Sequence, residues 1–247
     1  MLGSPSMSSS VRIGLLWMVA AFSGFMVACD EGTSSTFLQP LDLSTSEDFA
    51  DTFDRNAIVF PEDFVDAFLF DARSIQSFLG RTPYGRPSFL ETYQSNGIRA
   101  AEAIDKAATT YGVNPMVFLV FAQITQGLIG ERDYPFPPER VEYVFGCGCV
   151  EPNRCAGTLA GFDRQVDCLG RALRTALDEI RANNVTTSGW GPGVETLSLD
   201  NITVIPEDDA TAALYDRLPR VAEGKAGGTW IFWNVWNRYT SPLAFDF

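Results

Sequence analysis

Apolar residues along the chain fall into short helical stripes separated by polar connections rich in glycine and proline. Pro61 to Leu69 and Asp71 to Leu79 read as two short amphipathic helices, the second with Ile75, Phe78 and Leu79 at helical spacing. A third stripe, residues 97–111, puts Ile98, Ala101, Ile104 and Ala108 on one face and closes at Gly112. The fourth opens with Asn114 as N-cap and Pro115 in the first turn. It continues as a mostly apolar run from Met116 to Ile129, the pattern of a buried helix. Residues 161–182 predict a long helix with Leu169, Leu173, Leu177 and Ile180 facing inward. A loop of Gly, Thr and Pro carrying Trp190 between two glycines leads to a helix from Glu207 to Leu218. Glu207, Asp208 and Asp209 sit at its start, where they read as caps favoured by the helix dipole rather than as metal ligands. The last stripe, Thr229 to Tyr239, has Phe232, Val235, Trp236 and Tyr239 at three and four spacing, a core pattern before it is a ligand platform. The expected fold class is mainly α, in one domain over residues 48–247.

The residues ahead of that domain follow other rules. Met1 to Arg12 is Ser-rich with one positive charge, and Ile13 to Ala28 is an uncharged apolar run too short to span a bilayer, which needs about 20 residues. Residues 1–28 therefore read as a signal peptide. The junction Met26-Val27-Ala28-Cys29 resembles the lipobox of bacterial lipoproteins, which implies acylation of Cys29 as the new N-terminus. The competing reading is secretion with a free Cys29. Residues 29–47, rich in Ser, Thr, Asp, Glu and Gly, read as a flexible tether from that anchor. The expected location is the cell envelope, on a membrane and facing the periplasm or the exterior.

Composition then narrows the chemistry. The formal net charge is −13 at pH 7, and residues 1–28 contain one base and no acid, so nucleic acid is excluded as a natural partner. The chain has no His, which removes Ser-His-Asp and Cys-His nucleophile systems and His-based zinc sites. Any catalysis must use carboxylates, hydroxyls or amides, and no motif for a metal or organic cofactor is present. Apart from Cys29, the cysteines Cys147, Cys149, Cys155 and Cys168 crowd into one segment. Two disulfides fit an exported chain, with three connectivities open; a zinc site of four thiolates is the alternative.

Six segments, taken in order, resemble the lysozyme-like glucosaminidase and muramidase relatives found on bacterial surface proteins, often labelled hemagglutinin-like. They are Ser74-Ile75-Gln76-Ser77-Phe78-Leu79, the run Tyr111-Gly112-Val113-Asn114-Pro115 continuing to Val120, and Gly146-Cys147-Gly148-Cys149 with Cys155. Ala160-Gly161-Phe162-Asp163-Arg164-Gln165-Val166, Ala210 to Tyr215, and Gly228 to Trp236 complete the set. The resemblance implies a lysozyme-like helical domain with a disulfide-bearing loop, acting on peptidoglycan or a related amino-sugar glycan. Because the family pattern contains Cys149 and Cys155 but not the other two, it implies the pairs Cys149–Cys155 and Cys147–Cys168. The second bridge would pin the cysteine loop to the long helix, for roughly 2–4 kcal/mol.

The family's buried helix ends Gln-Lys-Glu-Gln-x-Leu, and its Glu is the expected general acid. Here the stretch reads Gln123-Ile124-Thr125-Gln126-Gly127-Leu128, with Thr125 in the acid's place. A Thr hydroxyl cannot protonate a leaving alkoxide near neutral pH, and general-acid help is typically worth roughly 10²–10⁴ in rate. Glu131 and Asp133 are the candidate substitutes, although Glu131 lies about 240° around the helix from Thr125 if the helix continued. Gln123 and Gln126 either brace orphan carbonyls at the helix end or hold sugar amides. Trp190 either stacks on a sugar or packs on the domain, and Tyr215 either lines the cleft or is core. The leading expectation is a membrane-anchored glycan binder that has lost turnover. The alternatives are an active hydrolase of β-1,4 amino-sugar bonds using Glu131 or Asp133, and an envelope protein-interaction module.

Overall fold

Helices dominate because the apolar stripes can be buried only against one another. A computed structural model describes residues 52–151 and 154–241. The expected signal peptide 1–28, lipidated Cys29 and tether 29–47 lie outside the described residues. In chain order the helices are α1 (Pro61–Phe64), α2 (Ala72–Gly80), α3 (Ala100–Tyr111), α4 (Pro115–Gln126), α5 (Glu139–Glu142), α6 (Phe162–Asn183), α7 (Asp209–Arg217) and α8 (Thr229–Thr240). Three two-stranded antiparallel hairpins decorate them: β1 (Gln94–Ser95) with β2 (Ile98–Arg99), β3 (Cys149–Glu151) with β4 (Arg154–Cys155), and β5 (Thr196–Leu197) with β6 (Thr203–Val204). The chain is mainly α, as the stripes predict. Among the described residues no helix is long and apolar enough to cross a membrane.

α4 is the hub. Every residue from Pro115 to Ile124 is buried, and the helix packs against α3, α6 and α8. α6 runs along α3, with Leu169, Leu173, Leu177 and Ile180 all buried as its stripe requires. At the crossing of α3 and α6, Gly170 faces Tyr111, and a Cβ there would stand 2.4 Å from the Tyr111 ring. Phe232, Val235, Trp236 and Tyr239 of α8 are buried, so that aromatic stripe is core.

Four boundaries differ from the sequence pattern, each for a physical reason. The helix expected over Pro61–Leu69 stops at Phe64. Asn114 takes the carbonyls that a continuing helix would use, its Nδ2 donating to Asp63 O at 2.7 Å and its N–H to Phe64 O at 2.9 Å. The third helix begins at Ala100 rather than 97, because Asn96 and Gly97, at φ 52° and 78°, make the two-residue turn that pairs β1 with β2. α4 ends at Gln126 rather than Ile129, since Gly127 at φ 69° turns the chain left-handed. The Glu207 helix starts at Asp209, and Asp208 is its cap, accepting Thr211 N–H at 2.7 Å.

Both disulfides form with the expected pairing, so the four thiols are not available as a zinc site. Cys149–Cys155 joins directly opposed residues of β3 and β4. Cys147–Cys168 ties the loop ahead of that hairpin to α6. Gln165, one turn before Cys168 and fully buried, does the same work with hydrogen bonds. Its Oε1 accepts the N–H groups of Phe145 and Cys147, and its Nε2 donates to the carbonyls of Cys147 at 2.9 Å and Leu159 at 2.8 Å. One side chain thus satisfies four backbone groups on the two segments that flank the β3–β4 hairpin.

Candidate functional site

The last turn of α4 is where the hub helix leaves the core, and it carries the residues singled out for chemistry. Thr125 and Gln126 are half-buried, whereas Ile124 is buried. The Thr125 hydroxyl donates to Phe121 O at 2.7 Å, one turn back in its own helix. Its proton is therefore spent on the backbone. Gln123 is buried, and its Oε1 accepts Gly130 N–H at 2.9 Å, closing the turn that follows the helix. The brace is made through an amide N–H of the turn rather than through an orphan carbonyl of the helix end. Gln126 offers its main-chain carbonyl to Arg140 Nη2 at 2.7 Å, while its side-chain Oε1 is buried with no hydrogen-bond partner among the described residues.

The loop after α4 is stapled to the segment before β1. Ser88 Oγ donates to Leu128 O at 2.9 Å, and Phe89 N–H donates to Glu131 O at 2.9 Å. Glu131 is thereby returned toward the helix end, but its Oε2 faces Arg140 Nη1 at 3.5 Å. Arg140 spans from that carboxylate to the Gln126 carbonyl, so Glu131 closes a brace between α5 and the end of α4. Asp133 is exposed on the outer part of the loop.

No family model, curated protein or solved structure matches this chain. Its chemistry must be judged from its own residues.

Trp190 and Tyr215 lie elsewhere, in the core. Trp190 is buried and its ring stacks on that of Tyr215, with centroids 4.7 Å apart and planes 19° from parallel. Tyr215, fully buried, donates its hydroxyl to Arg55 O at 2.9 Å and receives Thr229 Oγ1 at 3.0 Å. Burial pushes its hydroxyl pKa up to about 12, against the opposing hydrogen bond from Thr229. Of the two readings open for each ring, packing in the core is the one their burial fits. Thr186 holds the Gly-Trp-Gly loop inward, its Oγ1 accepting Trp190 N–H at 3.1 Å and its own N–H donating to Trp190 O at 2.8 Å.

The aromatic surface beside the α4 loop is instead made by residues the sequence pattern did not single out. Tyr134 is 50% exposed and Tyr93 half-buried, with ring centroids 5.9 Å apart and planes inclined by 36°. Phe89 meets both edge-on, at 5.6 Å from Tyr93 and 5.9 Å from Tyr134. Burial raises the hydroxyl pKa of each tyrosine, and the Glu142 carboxylate adds to the rise in both. Ser95 Oγ donates to Asp163 Oδ1 at 2.6 Å and so ties the β1–β2 hairpin to the start of α6. A readable signal existed: Tyr134 stands in Arg132-Asp133-Tyr134-Pro135-Phe136-Pro137-Pro138, where no helix is available to bury it.

Proposed function

We propose that the chain is a membrane-anchored, lysozyme-like domain that binds peptidoglycan or a related amino-sugar glycan without turning it over. The observation that carries this reading is Thr125, which stands where the resembling family has its acid and whose hydroxyl is donated to Phe121 O. An aliphatic hydroxyl held that way has no proton to give a leaving alkoxide. The two nearby carboxylates offer no replacement in this reading, Glu131 being engaged by Arg140 and Asp133 pointing to solvent. The half-exposed Tyr134 in the loop after α4, with Tyr93 against it, supplies a stacking surface of the kind glycans use. The anchor at Cys29 keeps a bound glycan close to the membrane.

The test uses the full chain purified in detergent and incubated with purified sacculi. Co-sedimentation with the sacculi and no release of soluble muropeptides above a blank is the expected result. Clear turnover would overturn the reading of a silent site, and absence of co-sedimentation would overturn glycan binding. The anchor is tested by the intact mass of the mature chain, which is expected to begin at an acylated Cys29.

A further inference from the structure

Exposed aromatic side chains are of two kinds. Phe136 is 87% exposed, and Phe68, on the segment after α1, is 82% exposed; neither has an aromatic neighbour among the described residues. Tyr134 differs. It is half-exposed yet held, with Tyr93 against it and Phe89 edge-on to both. Pro135, the next residue, is buried, and Glu131 ahead of it is fixed through its carbonyl and its carboxylate. A flat ring that is open on one side and immobilised on the other binds with little further loss of side-chain freedom.

We infer that Tyr134, supported by Tyr93, is the stacking platform for a pyranose ring of the glycan. The inference rests on the glycan-binding reading and names the subsite within it. A pyranose has an apolar C–H face that lies on an aromatic ring, and the held, half-exposed ring of Tyr134 offers a surface for it. A neutral sugar also suits a chain of net charge −13, which repels polyanions and must rely on stacking and hydrogen bonds.

The experiment measures co-sedimentation of the full chain in detergent across a range of purified sacculi concentrations. Tyr134→Ala is expected to raise the concentration for half-binding about tenfold, and Tyr134→Leu, which keeps apolar bulk without the flat face, by a similar factor. Tyr134→Phe should stay within about twofold of the parent, because stacking needs the ring and not its hydroxyl. Phe68→Ala, which removes an exposed aromatic remote in sequence, should bind as the parent does. Parent binding with an unaffected Tyr134→Leu variant would overturn the platform alone. An equal loss from Phe68→Ala would also overturn it, by showing general apolar adhesion. A parent chain that fails to sediment would overturn the glycan reading and the platform with it.

Discussion

Trp190 and Tyr215 stack face to face inside the domain, centroids 4.7 Å apart, although one comes from a glycine-flanked loop and the other from α7. The contact joins the loop to α7, as does the hydrogen bond that Ser188 Oγ donates to Asp216 Oδ1, and it converts a surface-looking Gly-Trp-Gly sequence into part of the core. Trp190→Ala is therefore expected to destabilise the chain by about 3–5 kcal/mol, the usual cost of emptying a buried aromatic site, and Trp190→Phe by less than half of that. Equilibrium urea unfolding measures both. A Trp190→Ala variant as stable as the parent would mean the ring is not a core element.

Tyr215 gives the same region a pH signature. Its hydroxyl pKa is raised by burial to about 12 in the folded chain, whereas in the unfolded chain it titrates near the ordinary tyrosine value of about 10. Above that value the unfolded state loses a proton the folded state keeps, so the stabilising contribution is full below pH 10 and lost as pH rises toward 12. Tyr215→Phe removes the hydrogen bonds to Arg55 O and from Thr229 Oγ1, and so should lower stability near neutrality. It should also flatten the alkaline decline. Thermal unfolding across pH 8–11 compares the two slopes; identical slopes would exclude Tyr215 as the source.

Gln165 and the Cys147–Cys168 bridge hold the same loop to the same face of α6, one by four hydrogen bonds and one covalently. Gln165→Leu fills the space and satisfies none of the four backbone groups, and is expected to cost about 2–4 kcal/mol. With Cys147→Ser and Cys168→Ser in the background, the loop can leave α6 and find water. The cost of Gln165→Leu should then shrink, a coupling that a double-mutant cycle reads directly. Strict additivity would mean the two fastenings act on separate parts of the loop.

Much of this architecture could be read along the chain, and the limits have physical causes. α2, α4, α6 and α8 were legible because their apolar residues recur at helical spacing and their caps, Asp71 and Asn114 among them, are local. The end of the Pro61 helix was not legible, since the groups that stop it belong to Asn114, some fifty residues away and therefore outside any local window. The Asn96-Gly97 turn was legible in principle, because that dipeptide marks a two-residue hairpin, but the apolar stripe beginning at Ile98 outweighed it. At the candidate site, Thr125 in the place of the resembling family's acid rests on the resemblance and on residue identity, which the sequence carries. The fate of Glu131 was not legible, as it depends on Arg140 reaching across the loop. Trp190 stayed open between stacking and packing, and Tyr134 was not singled out, for a related reason: a loop aromatic is buried or exposed according to what the rest of the fold brings to it.

Gly170 predicts a packing effect that no local pattern shows. A Cβ there would meet Tyr111 Cδ2 at 2.4 Å and Phe118 Cζ at 3.2 Å, and Tyr111 cannot swing away freely because its hydroxyl donates to Asp167 Oδ1 at 2.7 Å. Gly170→Ala should therefore lower stability by about 1–3 kcal/mol despite alanine's higher helix propensity. Urea unfolding would show it. A stabilised variant would mean that α3 and α6 can separate without cost.

The decisive variant is Thr125→Glu. It puts a carboxyl in the last turn of α4, half-buried and beside a helix end whose acceptors are already taken by Arg140. If the missing acid is all that silences the site, this substitution should raise muropeptide release from sacculi by roughly the 10²–10⁴ that general-acid help supplies, with glycan affinity little changed. Thr125→Gln is the matched control, equal in size and unable to donate a proton of the required acidity. Release from the Glu variant and none from the Gln variant would show that the cleft is otherwise intact. Binding without release in both would place the defect beyond Thr125, with Arg140 the first residue to examine. Its guanidinium, already turned toward Glu131 at 3.5 Å, would hold a second carboxylate in the charged form that cannot act as an acid.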